Sequence, residues 1–176
     1  LTTPPADDGP RFRRGRLLVA GPQLLDPNFF RAVVLMLEHS EDGALGLVLN
    51  RPTTLRVREA VPEPLSTLAA DDEVIHSGGP VQAEAVIMLA DYLMPEEATT
   101  LVVHTVGIVD PRTPEEGLPG MLRRARAFGG YAGWGAGQLE GEIAEGAPGR
   151  HLDDQRGAVG PDETVGLDAA VAEVVG

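Results

Sequence analysis

The sequence predicts an α+β fold: a single compact domain built on a curved, mostly antiparallel or mixed sheet flanked by helices. Three observations carry that expectation. Ala32–Leu37 is an unbroken apolar run ahead of Glu38, and its Val- and Leu-rich composition suits a strand buried on both faces. Glu41-Asp42-Gly43 follows, and Leu45–Leu49 returns. Glycine accepts the positive φ that tight turns need, so Ala32–Leu49 reads as an antiparallel hairpin at the sheet centre. The elements then come as several strands, a helix, and a further strand and helix, an order that is not a regular βαβ alternation.

In chain order, Leu1–Pro10 is rich in Pro and Asp and has little to bury, so it is expected to be disordered. Arg11, Arg13, Arg14 and Arg16 follow as a short basic arm. Leu17–Ala20 is the first strand, closed by Gly21-Pro22, and Pro27-Asn28 marks a turn. Val57–Ala70 is helix-prone but interrupted by Pro62 and Pro64. Glu73–His76 reads as a short strand running into Gly78-Gly79-Pro80. Ala85–Ala90 and Thr99–Val106 read as two more, the second rich in β-branched residues.

Pro114–Phe128 is the clearest helical pattern. Thr113 suits an N-cap, Pro114 the first turn, and Glu115-Glu116 the positive end of the dipole. Leu118, Met121, Leu122 and Ala125 repeat at spacings of three and four, and Gly129-Gly130 is placed as the helix stop. Gln138–Glu145 predicts a shorter helix with Leu139 and Ile143 four apart. Asp162–Val175 has helical apolar spacing as well.

Composition narrows the function classes. The chain has 176 residues, 43% of them hydrophobic, enough for one domain with a real core. Its apolar runs fall far short of the roughly 20 residues that cross a bilayer, no signal-like start is present, and there is no Cys for disulfides or thiolate metal sites. The cytoplasm is the expected compartment, with no membrane partner. The net charge of −13 opposes phosphate backbones at long range, so direct nucleic-acid binding is not expected.

Two blocks stand out. Gly15–Pro52 reads GRLLVAGPQLLDPNFFRAVVLMLEHSEDGALGLVLNRP, and Gly130–Gly146 reads GYAGWGAGQLEGEIAEG. Between them lies Gly78-Gly79-Pro80-Val81. In this order the three resemble the G-x-LLVA-x-P, GGPV and G-x-x-G-W-x-x-G-Q-L-E elements of the YqgE/AlgH family of bacterial proteins. The resemblance implies a compact mixed-sheet fold over residues 15–145, after a leader at 1–14. It implies no particular reaction, because that family is largely without an assigned activity. Its members are often labelled transcriptional regulators.

After Glu145 the pattern is lost. Residues 146–176 contain no aromatic, where the family resemblance leads one to expect an aromatic-rich strand. This atypical tail fits an out-of-frame or variant ending in GC-rich DNA. Leu1 in place of Met suggests an alternative start codon or a fragment.

No catalytic constellation emerges from the residues. Ser40 and Ser77 each directly follow a His, His39 and His76, and strand neighbours point to opposite faces. Ser66, His104 and His151 lack a motif, and no G-x-S-x-G elbow is present. His39, Glu41 and Asp42 lie close enough to hold a divalent ion, but solvated charge at a strand end is the simpler reading, and no metal or cofactor is assigned.

The candidate ligand pocket combines Asn50, Arg51, Gly78, Gly79, Trp134, Gly135, Gly137 and Gln138. Gly-rich backbone and a helix N-terminus offer amides to an anion, and Arg51 offers charge. The simpler reading, which is favoured, is that the same glycines allow close backbone packing and Trp134 fills the core. Two functions follow. One is a non-enzymatic regulatory or interaction protein with a protein partner. The alternative is an enzyme or binding protein for a small anionic molecule.

Overall fold

The computed structural model describes residues 14–20, 27–112, 117–145 and 152–154. The strands are β1 Leu17–Ala20, β2 Val33–Ser40, β3 Gly43–Val48, β4 Pro52–Arg56, β5 Val74–Ser77, β6 Val81–Tyr92, β7 Thr100–Val103, β8 Val106–Ile108, β9 Leu122–Gly135 and β10 Leu152–Asp154. Helices are short: α1 Val57–Ala60, α2 Leu118–Met121 and α3 Gln138–Glu145, with 3₁₀ turns at Leu65–Leu68 and Pro95–Glu97. The main path of the sheet runs β10-β1-β2-β3-β9-β6-β8-β7, and β4 joins it through β5. Among the described residues only β5 and β9 pair in parallel. The α+β expectation holds in its coarser form, a curled and mostly antiparallel sheet. The flanking helices are modest.

The hairpin forms as its sequence requires. β2 and β3 pair antiparallel with Leu35 opposite Leu47, and Gly43 turns with φ 140°. Val34, Leu35, Met36 and Leu37 are all essentially inaccessible, so this strand is buried on both faces. Val33, expected to be buried, is half-buried. Leu35→Ala should cost ~2–5 kcal/mol by leaving a cavity, measurable as a lower urea midpoint. An unchanged midpoint would refute the central placement.

β9 is the spine of the sheet and the largest correction to the sequence reading. The predicted helix over Pro114–Phe128 shrinks to α2, and from Leu122 onward the chain is a strand. Thr113–Glu116, with the expected cap, lie outside the described residues. Ala and Arg favour helices intrinsically, but Arg124-Ala125-Arg126-Ala127 also alternates polar and apolar. Pairing with twelve-residue β6 settles the choice. Ala125 and Ala127 turn inward, while Arg123 bonds Asp91 at 3.2 Å and Arg126 bonds Glu73 at 3.1 Å.

Gly129-Gly130 is therefore no helix stop. It lies inside β9, with Gly130 at φ 72°, opposite a register break whose extra residues belong to β6 between Val81 and Val86. Before it, odd-numbered Ala125 and Ala127 face one core cluster. After it, even-numbered Ala132 and Trp134 face another. The change of parity coincides with the positive φ of Gly130, and each half of β9 meets its own covering layer.

Three apolar clusters result among the described residues. Leu35, Leu37, Leu47, Leu49, Leu89 and Phe128 fill the inside of the curl. Leu18, Val34, Met36, Val48, Ala132 and Trp134 form a second cluster, joined by Leu139 of α3. Val57, Ile75, Met88, Ala90, Ala127 and Leu118 form the third, joined by α1, α2 and the Leu65–Leu68 turn. The curl brings β7 back to the start of β1: Arg14 donates to the Leu101 carbonyl, and an added Cβ at Gly15 would sit 2.7 Å from the Val102 oxygen.

Other expectations change in detail. Thr99–Val106 is not one strand but the hairpin β7–β8, turned at His104 with φ 47°. Val57–Ala70 splits at its prolines into α1 and a 3₁₀ turn. Arg14 and Arg16 belong to the sheet margin, where Gly15 N–H donates to the Met36 oxygen and Met36 N–H to the Arg16 oxygen. Residues 1–13, Gly21-Pro22 and Asp162–Val175 lie outside the described residues. Within the atypical tail, Leu152–Asp154 pairs antiparallel with β1.

Candidate functional site

The Q-L-E segment that opens α3 is a docking device. Leu139 is completely buried in the cluster around Trp134. Gln138 Oε1 accepts from the Gly135 amide at 3.0 Å, and Gln138 Nε2 donates to Glu142 Oε1 at 3.0 Å. The other Glu142 oxygen accepts from the Trp134 indole N–H at 3.0 Å. His39 Nε2–H donates to Glu140 at 2.8 Å across 101 residues of sequence. Gly137 supplies the left-handed turn before the helix, φ 71°. Three polar contacts and one buried Leu thus fix α3 against β2 and β9, and the Gln138–Glu142 bond braces the helix from within.

An open cleft of about 440 Å³ lies beside Trp134, bordered by Arg14, Glu38, Ser40, Asp42 and Leu45. Of the eight residues predicted to line a pocket, Trp134 borders this cleft. Gly135, Gly137 and Gln138 adjoin it in sequence, but the other four lie elsewhere. Its carboxylates, Glu38 and Asp42, outnumber Arg14, and Glu140 and Glu142 stand on the first turns of α3. An anion approaching here meets more acid than base.

Asn50 and Arg51 clamp the entry to β2. Asn50 Oδ1 accepts from the Val33 amide and its Nδ2 donates to the Arg31 carbonyl, both at 2.9 Å. Arg31 holds φ 54°, so this bracket stabilises a backbone turn that non-glycine residues seldom adopt. The Arg51 guanidinium donates to the Phe30 carbonyl. Phe29, the neighbouring residue, packs its ring 6.2 Å from that of Trp134. Arg51 and Trp134 therefore reach adjacent residues of one segment.

Gly78 and Gly79 pack against the other glycine pair. Gly78 N–H donates to the Gly129 oxygen and its carbonyl accepts from Val48, both at 2.8 Å. A Cβ on Gly78 would lie 2.3 Å from the Gly130 oxygen, and one on Gly79 2.2 Å from the Tyr131 carbonyl carbon. This is where β3 and β5 meet along one side of β9. Two backbones pass there at a separation no side chain permits.

His76, just before this turn, is buried against Phe128 with ring centroids 5.8 Å apart. Burial, aided by the Arg126 charge, lowers its pKa below the ordinary value of 6.5; Val74 and Glu73 oppose this weakly. Above pH 6.5 the ring is neutral folded and unfolded. Below it the unfolded chain takes up the proton first, so this residue's contribution to stability falls as pH drops towards the lowered folded value. His76→Gln should flatten that part of the stability–pH curve, as read by chemical denaturation across about pH 7 to 5. An unaltered slope would show that His76 does not titrate differently on folding.

Sequence reasoning missed the His39–Glu140 pair and the role of Glu142. His39 had been grouped with Glu41 and Asp42 as a possible ion site. Its ring instead reaches α3, and among the described residues no group of three or more His, Asp or Glu could hold a metal ion. A signal existed, since Glu38-His39 and Gln138-Leu139-Glu140 both belong to the blocks singled out from the sequence. Nothing in either block says that they meet.

A family profile described as AlgH-like matches residues 17–147. The chain belongs to the AlgH-like family. A UPF0301 protein of Streptomyces avermitilis is 46% identical over 141 residues, covering 76% of this chain and 72% of that protein. One from Mycobacterium avium is 40% identical over 138 residues, covering 76% and 68%. Among solved structures, a Corynebacterium diphtheriae protein superposes with a TM-score of 0.70 at 25% identity, covering 86% of this chain and 83% of that one. The AlgH protein of Pseudomonas aeruginosa superposes at 0.59 with 27% identity, covering 94% and 91%. The glycine pairs, the Asn50 bracket and the Q-L-E docking of α3 all lie inside the AlgH-like span.

Proposed function

We infer that this AlgH-like protein is a non-enzymatic regulatory or interaction protein working in the cytoplasm through contacts with another protein. The observation that carries this reading is how its most distinctive polar residues are used. Asn50, Arg51, Trp134 and Gln138 each commit polar atoms to internal hydrogen bonds. They act as clamps on the fold. Large apolar side chains remain exposed outside, among them neighbouring Leu93 and Met94, 46% and 48% accessible. Among the described residues no helix is long and apolar enough to cross a membrane.

Quantitative affinity capture tests the reading. The wild-type chain and a Leu93→Glu/Met94→Glu variant are compared for recovered proteins and, after extraction, for small molecules. A discrete protein lost with the variant supports the reading. A stoichiometric metabolite with no protein partner would replace it by the small-ligand alternative. DNA should bind weakly and without sequence preference, given the net charge of −13. Nanomolar, salt-resistant operator binding in a gel-shift titration would contradict this.

A further inference from the structure

The segment after β4 encloses a second cleft, remote in sequence from the Trp134 site. It has a volume of about 590 Å³ and lies between α1 and the Leu65–Leu68 turn. Val61 and Ser66 are its buried lining, each 5% accessible, and Glu59, Glu63 and Thr67 are exposed at its margin. Two features make it more than a surface hollow.

The first is Ser66. Its backbone N–H donates to the Pro62 oxygen at 3.3 Å, but its hydroxyl makes no hydrogen bond to any described residue. A buried hydroxyl without a partner forfeits the bonds it would make in water, and such groups ordinarily have a partner or a role. Ser66 lines this cleft, so an occupant can complete it.

The second is charge. Arg58, the cation of the lining, is bonded to Asp71 outside the lining set. Glu59 and Glu63 then remain as carboxylates with no cation opposite them within the cleft among the described residues. Ala60, Val61 and Pro62 supply apolar surface between them.

We propose that the α1–3₁₀ cleft binds a small protonated alkylamine. Its ammonium donates to the Ser66 hydroxyl oxygen and to the Glu59 and Glu63 carboxylates, and its carbon stem rests on Val61 and Pro62. An ammonium has three donors and no acceptor, which matches one hydroxyl and two carboxylates. A carboxylate or phosphate ligand meets like charge there. The amine can belong to a free small molecule or to a lysine side chain of a partner. This site is independent of the interaction role proposed above.

The test is a titration of the isotope-labelled full chain, followed by amide NMR shifts. The probes are 1,4-diaminobutane, the neutral 1,4-butanediol, succinate, and a capped Ala-Lys-Ala peptide. Saturable shifts at residues 58–67 are expected with the diamine and absent with the diol and succinate. Glu59→Gln/Glu63→Gln, exposed changes that leave the core untouched, should weaken diamine binding about ten-fold. Ser66→Ala should weaken it about three-fold or more while the amide spectrum stays folded. Tighter binding of the peptide than of the diamine supports amine recognition and identifies a protein lysine as the source. Tighter binding of the diamine supports a free ligand. No saturation by about 20 mM, an equal response to the diol, or unchanged affinity in the Gln variant would overturn the proposal.

Discussion

Gly79→Ala should leave little folded protein. Its Cβ would fall 2.2 Å, 2.3 Å and 2.4 Å from the Tyr131 carbonyl carbon, the Tyr131 oxygen and the Ala132 nitrogen, and Gly79 itself has φ 153°. All three neighbours are backbone of the sheet's spine, so none can swing aside. We expect a loss of more than ~3 kcal/mol, beyond ordinary overpacking. Two other glycines calibrate this. Gly137 also has positive φ, but nothing lies within 4 Å of its built Cβ, so Gly137→Ala should cost only ~1–2 kcal/mol of backbone strain. Gly141 lies inside α3 with open space around it. There alanine should stabilise by ~0.5–1 kcal/mol. Urea midpoints of the three variants check the order. A Gly79→Ala protein as stable as wild type would dismiss close packing as the reason for the glycine pair.

Phe128→Ala should cost ~3–5 kcal/mol. Among the described residues Phe128 is the largest fully buried side chain, and it packs with Leu35, Leu47, Leu49 and Leu89 inside the curl. Its strand is held by β6 on one side and β5 on the other, which limits collapse around a cavity. Alanine there should also relieve the crowding of His76, whose ring packs on Phe128. Its pKa should therefore move back up towards the ordinary value, as burial is the main cause of its lowering. Denaturation gives the first effect and histidine NMR titration the second. A loss below about 1 kcal/mol would mean that the interior of the curl is loosely packed.

The candidate site was legible as a set of motifs and illegible as an arrangement. Trp134, Gly135, Gly137 and Gln138 were recognisable together because they are neighbours in sequence. That Gln138 turns back to Gly135, and that Glu142 holds the Trp134 indole, depends on one helix and its cap. Such short-range geometry is partly readable from spacing. Asn50 and Arg51 were expected to face a ligand, but their polar atoms bond residues 30, 31 and 33. Both ends of that bracket lie on the same hairpin. The bonds form only when β2 and β3 are already in register, which no local pattern states. The amine cleft gave no signal, because its Ser66 acquires meaning from being buried with no hydroxyl partner among the described residues.

What the sequence determined by itself was the β2–β3 hairpin, β1, β5, the core of β6 and the α3 segment. Each has a local cause strong enough to act alone: an apolar run with a glycine turn, or apolar residues four apart. What only the tertiary structure decided was β9. Over Leu118–Phe128 the helical and strand periodicities coexist, and intrinsic preference favours the helix. The strand wins because β6, β5 and β3 all need its backbone hydrogen bonds, and a helix there would leave those edges unpaired. The irregularity at Gly129-Gly130 lies on the same strand. Phe128 before the pair and Tyr131 after it both turn to the inner cluster, so Ala125, Ala127, Ala132 and Trp134 all face the covering clusters, and the positive φ of Gly130 makes that shift of parity where Gly78 and Gly79 pass directly against the strand.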